Sequence, residues 1–432
     1  MASDYDSVEL GEVASVRSGF AFKSSDWTDS GVPVVKIANV KDGCLVMDGC
    51  SFVAPRVAAL ASEFALQAGD ILIAMTGYIG DVALVRERDL PAALNQRVGR
   101  FSVRDPHRLD PRFLFYLLRD DDVRKEIEGL GYGSAQPNIS PSLIHGIEIP
   151  LPPLPEQCAI ARILGALDDK IELNRRTNEI LEAIARALFK SWFIDFDPVH
   201  AKAEGRDSGL PADIAALFPD SFQDSELGEI PKGWRVKGLD EIADFLNGLA
   251  LQTFPPHDGR SIPVIKIAQL RAGNTQGADA ASADLDANYV VDDGEVLFSW
   301  SGSLECVLWN GGLGALNQHL FKVTSAVYPK WFYYYWIQHH LGSFREIAAG
   351  KATTMGHIQR HHLSDAKVVV PGRMGLDAVD KALSPIFRQL VQLRLESRTL
   401  ATLRDTLLPK LLSGEVRTKK QPQHGEELTW LP

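Results

Sequence analysis

The chain has few cysteines and no long apolar segment. Its four cysteines, at positions 44, 50, 158 and 306, show no Cys-x-x-Cys spacing. The sequence therefore predicts neither a zinc site nor a disulfide framework. No apolar run reaches the roughly 18–20 residues that a membrane-spanning helix needs, and the acidic first residues lack the apolar core of a secretion signal. These absences indicate a cytoplasmic protein.

Positive charge is also in short supply. The chain has 45 Lys and Arg against 56 Asp and Glu, which gives a formal net charge of −11. Nucleic-acid binding is driven largely by basic side chains that displace phosphate counterions, so this balance argues against a nucleic-acid partner. The net charge describes the whole chain, however, and binding depends on where the charges lie.

Sequence motifs for catalysis are missing as well. Gly350-Lys351-Ala352 lacks both the upstream glycine and the hydroxyl of a phosphate-binding loop. No Asn/Asp-Pro-Pro-Tyr/Phe run of an amino-methyltransferase occurs, and the histidine pairs at 339–340 and 361–362 have no spaced carboxylate that would complete a metal site. We therefore expect no active site, no metal and no cofactor in this chain.

The dominant positive feature is an internal repeat. A length of 432 residues suggests two or more domains. Four segments recur, with an offset that drifts from 229 to 222 residues through small insertions, as loops permit. The pairs are Leu10–Gly19 with Leu239–Gly248, Val32–Val40 with Ile262–Leu270, Gly69–Gly77 with Gly294–Gly302, and Ala93–Gln96 with Ala315–Gln318. We predict two similar mixed α/β domains, residues 1–152 and 234–372.

Each domain is followed by a long helical pattern, at residues 153–197 and 373–416. Apolar residues recur there at spacings of three and four, and Leu167 and Ile386 illustrate a shared offset of 219 residues. Helices of about 36–39 residues would be roughly 55–60 Å long, so we expect them to pair as an antiparallel coiled coil. Residues 198–233 have the composition of a linker, and residues 417–432 form a C-terminal tail.

The predicted fold is thus mixed α/β with a pseudo-twofold internal repeat: two similar globular domains separated by two long helices. Successive major-groove faces of DNA lie one turn, roughly 34–36 Å, apart. A spacer of the predicted length suits two readers on separate half-sites. Because the two domains differ in sequence, the predicted target is asymmetric and bipartite, with an unread gap.

Candidate DNA-binding residues follow from side-chain chemistry. Amide, hydroxyl and guanidinium groups read base edges, whereas Lys, Arg and backbone amides contact phosphates. The first-domain candidates are Lys36, Asn39, Thr76, Tyr78, Arg97, Arg100, Tyr132, Ser134, Gln136 and Asn138. The second-domain candidates are Lys266, Gln269, Ser301, Ser303, Lys351, Thr353, Thr354, His357, Gln359 and Arg360.

Several of these candidates have a structural alternative. The pairs Asn95-Gln96 and Asn317-Gln318 are kept in both copies, which favours a structural or phosphate role, and the same holds for Lys36 and Lys266. Residues 104, 108 and 112 extend the arginine series, part of which is expected to be solvated surface. The aromatic helices at 113–118 and 331–336 are predicted to be core. The polar loop before the last strand differs between copies and is favoured as the base reader.

The long helices also carry candidates for partner binding. Asn174 and Asn178 lie on or beside the apolar stripe, where a buried amide fixes helix register. Trp192 and Phe193, or the Leu411-Leu412 end, are candidates to dock partner proteins. The alternative for the two aromatics is that they close the helix onto its own domain.

Four segments resemble the specificity (S) subunits of type I restriction–modification systems, and the likeness covers nearly the whole chain. They are Leu151-Pro-Pro-Leu-Pro-Glu-Gln157, Glu172-Leu-Asn-Arg-Arg-Thr-Asn178, Ala187-Leu-Phe-Lys-Ser-Trp-Phe-Ile-Asp-Phe-Asp-Pro198 and Leu407-Leu-Pro-Lys-Leu-Leu-Ser-Gly-Glu-Val416. One departure is Val370-Pro-Gly-Arg-Met-Gly375, which stands where the first half has Pro-Pro-Leu-Pro-Glu-Gln. We therefore expect the second helix to begin differently from the first.

The resemblance implies two target-recognition domains, two spacer helices and a non-catalytic role in defence against foreign DNA. It implies a complex with two methyltransferase (modification) subunits, and a larger one with two restriction subunits. Such a complex methylates adenine in hemimethylated sites and restricts unmethylated DNA. S-adenosylmethionine, ATP and Mg are then expected in the partner subunits. The alternatives are a stand-alone site-specific DNA-modifying enzyme and a protein-binding coiled-coil scaffold.

Overall fold

A computed structural model describes residues 5–41, 43–131, 138–350 and 356–417. The chain divides into two compact units. The first consists of Met1–Ile171 with Thr399–Pro432, and the second is Glu172–Arg398. Each unit therefore combines one repeat domain with part of both long helices, so the helices are not a module separate from the domains.

The repeat in sequence is a repeat of the central sheet. In both units this sheet has four strands, and every neighbouring pair is antiparallel. In spatial order the strands of the first unit are Ala14–Ser18, Val98–Val103, Ile71–Ala74 and Val82–Leu84. Those of the second unit are Asp244–Asn247, Leu320–Thr324, Val296–Ser299 and Cys306–Leu308.

A second four-stranded sheet lies in each unit and contains a parallel pair. In spatial order it comprises Ala93–Leu94, Val32–Val35, Ser51–Val53 and Trp27–Thr28 in the first unit. In the second unit the order is Ala280–Ser282, Ser261–Ile265, Gly314–Leu316 and Val290–Val291. The parallel pair places Ala93 opposite Val34, and Ala315 opposite Val264. Both members of this pair come from repeated sequence segments, whereas the outer strands differ.

Two-stranded antiparallel pairs close each domain. Ser7–Glu9 pairs with Glu148–Pro150 in the first unit, and Arg235–Gly238 pairs with Lys367–Val370 in the second. The chain thus leaves each domain beside the strand by which it enters. Smaller pairs join Val40–Lys41 to Cys44–Leu45, and Phe222–Ser225 to Gly228–Pro231.

Short helices cover the sheets, and the aromatic ones are core. In the first unit they are Leu10–Val13, Pro55–Leu60, Pro111–Leu117, Asp121–Gly129 and Pro141–His145. In the second they are Asp197–Ala203, Ala212–Ala215, Ile267–Ala272, Lys330–Ala349 and Arg360–Asp365. All residues of 113–118 and 331–336 are buried. Within the segment predicted as a linker, Val199, Phe218 and Ile230 join the core of the second unit, so this segment is folded.

The long helices span Leu154–Phe189, continued by a π-helical turn at Lys190–Ile194, and Arg373–Leu412. They run antiparallel in both units. In the first unit Arg404 pairs with Asp168 at 2.6 Å, and in the second unit Arg394 pairs with Glu182 at 3.3 Å. Residues late in one helix therefore meet residues early in the other.

The two helices begin on different contacts. Near the start of the first long helix, the fully buried Gln157 accepts a hydrogen bond from the Asp110 backbone N–H at 2.9 Å. Its amide nitrogen donates to the carbonyls of Arg108 and Pro152, both at 2.8 Å. The second helix has no such glutamine; instead the Trp331 indole donates to Asp380 at 2.8 Å. This difference follows the departure seen in the sequence.

Four side chains expected to bind partners are buried. Trp192 and Phe193 are only 3% and 1% exposed, and they lie in the core of the second unit with Trp234 and Phe332. They close the helix onto the second domain, not onto the first domain that precedes it. Asn174 and Asn178 are also buried. Burial of Trp192 and Phe193 favours the alternative that they close the helix, and burial of Asn174 and Asn178 fits a role in helix register; partner binding by these four residues stays a prediction.

The Leu411-Leu412 end of the second helix is likewise covered. Both leucines lie in the core of the first unit together with Ile160 and Leu164 of the first helix. None of the helices in the described ranges combines the length and the apolar character that a membrane crossing requires.

The buried asparagines predict different effects of one substitution. The Oδ1 atoms of Asn174 and Asn178 are both buried without a hydrogen-bond partner, but the amide nitrogen of Asn174 donates to Glu396 at 2.8 Å. An unpaired buried polar atom costs about 1–3 kcal/mol. We expect Asn178→Leu to raise the free energy of unfolding by about 1 kcal/mol, and Asn174→Leu to give a smaller gain or a loss. Calorimetry of the full chain measures both, and a lower melting temperature for Asn178→Leu contradicts the argument.

His340 predicts an acid-sensitive core in the second unit. Burial, and to a lesser extent His339, lowers the pKa of His340 to about 4. Its Nε2 lies 2.9 Å from the Lys367 carbonyl and donates to it. As the pH falls from 6.5 to 4, His340 becomes protonated in the unfolded chain but stays unprotonated in the folded chain. The free energy of unfolding therefore decreases, by up to about 3 kcal/mol. Above pH 6.5 the effect vanishes.

His340→Gln keeps a donor for Lys367 and removes the titration. Urea unfolding at pH 7 and pH 5 therefore compares the two chains. We expect the variant to lose less stability between these pH values than the parent. An equal loss in both chains excludes His340 as the source.

Candidate nucleic-acid interface

Both domains form a tight backbone junction at the end of the first strand of the central sheet. A Cβ atom on Gly19 would lie 2.5 Å from the Asn95 carbonyl, and one on Gly248 would lie 2.3 Å from the Asn317 carbonyl. Only glycine fits so close an approach of backbones. The repeated glycine and the repeated Asn-Gln pair are therefore two halves of one structural feature.

Matching hydrogen bonds hold this junction in the two units. Phe20 donates to Leu94 at 2.8 Å, and Leu249 donates to Leu316 at 3.0 Å. The backbone of the following glutamine then donates back, from Gln96 to Phe20 and from Gln318 to Leu249. These bonds present the residues after the glutamine at the same place on each sheet.

The shared asparagine shapes the turn from inside. Asn95 Oδ1 accepts from the Arg97 backbone at 3.3 Å, and Asn317 Oδ1 accepts from the His319 backbone at 3.2 Å. An asparagine that bonds to the backbone two residues on stabilises a turn. The structural alternative for this pair thus has a direct physical basis, because the amide oxygen is engaged.

A polar cleft of about 520 Å³ opens beside the junction in the first unit. Thr76 and Asn138 form its floor, bridged between backbones and joined by a 2.7 Å hydrogen bond from the hydroxyl to the amide oxygen. Ser18, Gln96, Arg97 and Ser140 are among its lining residues. Hydroxyl, amide and guanidinium groups therefore converge in one accessible place.

The equivalent place in the second unit carries aromatic and imidazole groups. Ser301 and His357 form the corresponding backbone bridge, and the Ser301 hydroxyl lies 2.9 Å from His319 Nδ1. The Trp300 indole donates to Asn247 Oδ1 at 2.8 Å and to the Gln318 carbonyl at 3.1 Å. The same scaffold thus presents a different set of hydrogen-bonding groups.

Most arginines of the first-domain series are engaged within the domain. Arg100 pairs with Asp70 at 3.4 Å and donates to two carbonyls, those of Ala65 and Glu63. Residues 104, 108 and 112 bond to Ala14, Glu12 and Asp169 respectively. The guanidinium of Arg97 has no such partner among the described residues. Arg97 is therefore the member of the series that a ligand can engage without breaking an internal ion pair.

Comparison with known proteins gives a consistent answer. Residues 2–183 match the family described as "Type I restriction modification DNA specificity domain". The type I restriction enzyme MjaIX specificity subunit of Methanocaldococcus jannaschii is 28% identical over 366 residues, covering 82% of this chain and 78% of that protein. The MjaVIII specificity subunit of the same organism is 37% identical over 183 residues, covering 41% of this chain and 43% of its own length. The chain is thus similar to type I restriction enzyme specificity subunits over most of its length.

A solved structure has a similar fold. The S subunit of the type I restriction–modification system from M. genitalium aligns with a TM-score of 0.55 at 17% sequence identity. The alignment covers 95% of this chain and 96% of that one. At this identity the likeness concerns the fold alone.

Some predicted contact residues also have internal roles. The amide of Asn39 is buried, accepting from the Lys36 backbone at 2.9 Å and donating to the Val46 carbonyl at 2.8 Å. The Lys36 ammonium bonds to Ser51 and lies 3.8 Å from the centre of the Trp27 ring. The polar groups of Asn39, Lys36 and Arg100 are thus engaged within the domain, and their DNA contacts stay a prediction that requires breaking these bonds.

The matching residues of the second unit are only partly engaged. Gln269 accepts from the Lys266 backbone at 3.3 Å, and Lys266 pairs with Asp279 on the surface. Because this ion pair is exposed, its lysine remains a predicted phosphate contact. An exposed pair is worth about 1 kcal/mol or less, so a phosphate competes with the aspartate at little cost.

The remaining candidates lie around the clefts. Tyr78 is exposed on the turn after Thr76, with Lys41 over its ring. Ser303 borders a neighbouring pocket with Arg345, and Gln359 is exposed. The Arg360 guanidinium donates to the Phe245 carbonyl at 3.2 Å. Six candidates lie outside the described residues: Tyr132, Ser134, Gln136, Lys351, Thr353 and Thr354.

Four residues at these places were missed by reasoning from the sequence. They are Ser18 and Ser140 in the first unit, and Asn247 and His319 in the second. The repeat contained the signal for His319, because it follows Asn317-Gln318 as Arg97 follows Asn95-Gln96. Nothing in the sequence placed Asn247 beside Trp300, since 53 residues separate them.

The glycine junction predicts that alanine at Gly248 or Gly19 lowers the stability of the protein. In Gly248→Ala the new Cβ meets two fixed carbonyls, those of Leu316 and Asn317. Backbone shifts of this kind cost about 1–3 kcal/mol. We expect a lower melting temperature for this variant, measured by circular dichroism, and the same for Gly19→Ala.

Gly342→Ala is the matched control. Gly342 lies in the helix Lys330–Ala349, and its added Cβ would meet nothing within 4 Å. Alanine favours helix there by about 1 kcal/mol, so stability is kept or raised. Equal destabilisation by the alanines at 248 and 342 contradicts the proposed role of the junction.

Proposed function

We propose that this chain reads DNA at two places, one for each domain, and directs the partner subunits of a type I restriction–modification complex to that site. As a specificity subunit it is the non-catalytic component of the complex. Such subunits assemble with methyltransferase and restriction subunits and bind DNA.

The observation that carries this proposal is a pair of equivalent places, the polar cleft of the first unit and the corresponding polar surface of the second. Both are built on the same glycine junction and the same bridge from the third strand, between Thr76 and Asn138 or between Ser301 and His357. A shared scaffold with different polar groups suits a shared ligand class whose local pattern differs. Double-stranded DNA is such a ligand, because its backbone is uniform and its base edges vary.

The target that fits two different clefts is asymmetric and bipartite, with an unread gap. The proposed complex contains two methyltransferase subunits and, in its larger form, two restriction subunits. S-adenosylmethionine, ATP and Mg would be bound by those subunits. The net charge of −11 makes weak DNA binding by the isolated chain a natural expectation, with partners supplying phosphate contacts.

Long-read methylation profiling of a host that expresses this chain with its methyltransferase subunit tests the proposal. The expected result is a methylated, asymmetric, two-part motif that disappears when the chain is deleted. Changing residues 351–360 should alter one half of that motif, and changing residues 132–138 should alter the other. Each replacement serves as the control for its counterpart.

Two outcomes would count against this function. Methylation that persists without the chain means that the partner carries its own specificity. A single continuous palindrome means that the two domains do not read separate half-sites. Either result favours a protein-binding scaffold over a DNA reader.

A further inference from the structure

The position after the shared Asn-Gln pair differs in chemistry between the two domains. It is Arg97 in the first and His319 in the second. Both backbones are held by the asparagine two residues earlier, at 3.3 and 3.2 Å. The two side chains therefore leave equivalent points of one scaffold, and what differs is the pattern of donors and acceptors that they offer.

The hydrogen bonds around His319 assign its tautomer. The Gln318 amide nitrogen lies 3.4 Å from His319 Nε2 and can only donate to it, so Nε2 carries a lone pair. Nδ1 then carries the proton and donates to the Ser301 hydroxyl at 2.9 Å. In this arrangement Nε2 is the acceptor of the ring, and its lone pair faces the Gln318 amide.

The surroundings hold the ring of His319 in place. Ser301 is buried, and the Trp300 ring lies 5.8 Å from the imidazole. Trp300 is itself anchored through its indole to Asn247 and to the Gln318 carbonyl. In the first domain the residue before the bridge is the buried Met75. Its cleft leaves room for the longer guanidinium of Arg97.

Arg97 offers the opposite pattern. A guanidinium carries five donors and no acceptor, and among the described residues none of its donors is used. Its fork geometry matches the paired O6 and N7 acceptors of guanine in the major groove. An acceptor such as His319 Nε2 matches an exocyclic amino group, which adenine and cytosine present there and which would take the place of the Gln318 amide.

We propose that Arg97 and His319 are corresponding specificity-determining residues, with Arg97 reading a guanine in one half-site and His319 reading the exocyclic amino group of an adenine or cytosine in the other. This inference rests on the proposed DNA-reading function. A phosphate has acceptors only, so a ring nitrogen that presents a lone pair is a poor phosphate ligand. The chemistry at position 319 therefore favours a base over the backbone.

Two substitutions test the assignment in the full complex by methylation profiling. His319→Arg should change one base of the second half-site from adenine or cytosine to guanine and leave the first half unchanged. Arg97→Gln should lower the preference for guanine at one position of the first half by at least about fivefold, and leave the second half unchanged. Arg97→Gln breaks no internal ion pair, so it remains informative if His319→Arg fails to fold.

Val327→Arg is the matched control for added charge. Val327 is exposed and follows the strand Leu320–Thr324 at the end opposite the cleft. The complex that carries Val327→Arg should methylate the same motif as the parental complex. Uniformly weaker methylation of an unchanged motif in Arg97→Gln overturns the base contact and indicates a phosphate contact. An unchanged motif in a folded His319→Arg complex overturns the assignment at position 319.

The failure of this inference is distinct from failure of the proposed function. If the parental complex shows no two-part motif, the function itself is wrong. If the parental motif is bipartite but neither variant changes a base, the function stands and the cleft assignment falls.

Discussion

The close approach of two backbones, at Gly19 in the first domain and Gly248 in the second, is the constraint on which both candidate sites depend. At each place a side chain on the glycine would collide with the carbonyls of the Asn-Gln turn. The missing side chain lets the first strand of the central sheet pair with that turn. Everything that lines the cleft is positioned from there: the end of the strand, the glutamine, the residue after it and the bridge from the third strand.

This constraint separates what the two domains share from what distinguishes them. The glycine allows the close approach of the backbones, and the asparagine side chain bonds to the backbone of the turn. Neither residue can vary without loss of the junction. The neighbouring positions 18, 97, 75 and 138 do vary, and their counterparts are Asn247, His319, Trp300 and His357. One scaffold can thus carry different donor and acceptor patterns while its fold stays the same.

The acidic total charge is compatible with this picture because many basic groups are neutralised in place. In the first unit Arg100 pairs with Asp70 and donates to two carbonyls, and Arg404 pairs with Asp168 and Asp405. Such pairs hold loops and helices together and contribute little field outside the protein. The net charge nevertheless includes the basic groups of these pairs. What matters for a ligand is the small number of basic groups that remain unpaired at a cleft.

The sequence by itself determined the repeat, the two long helices and the family resemblance, because these depend on patterns that are local or recur at a constant offset. It also indicated that Asn95 and Asn317 are structural, since a base reader should differ between copies. It did not reveal that Trp192 and Phe193 are buried in the second unit, because burial depends on which surface a helix end meets. Nor did it reveal that Asn39 and Lys36 are satisfied internally. Only the tertiary structure decided those points, since hydrogen-bond partners distant in sequence become visible only when the chain is folded.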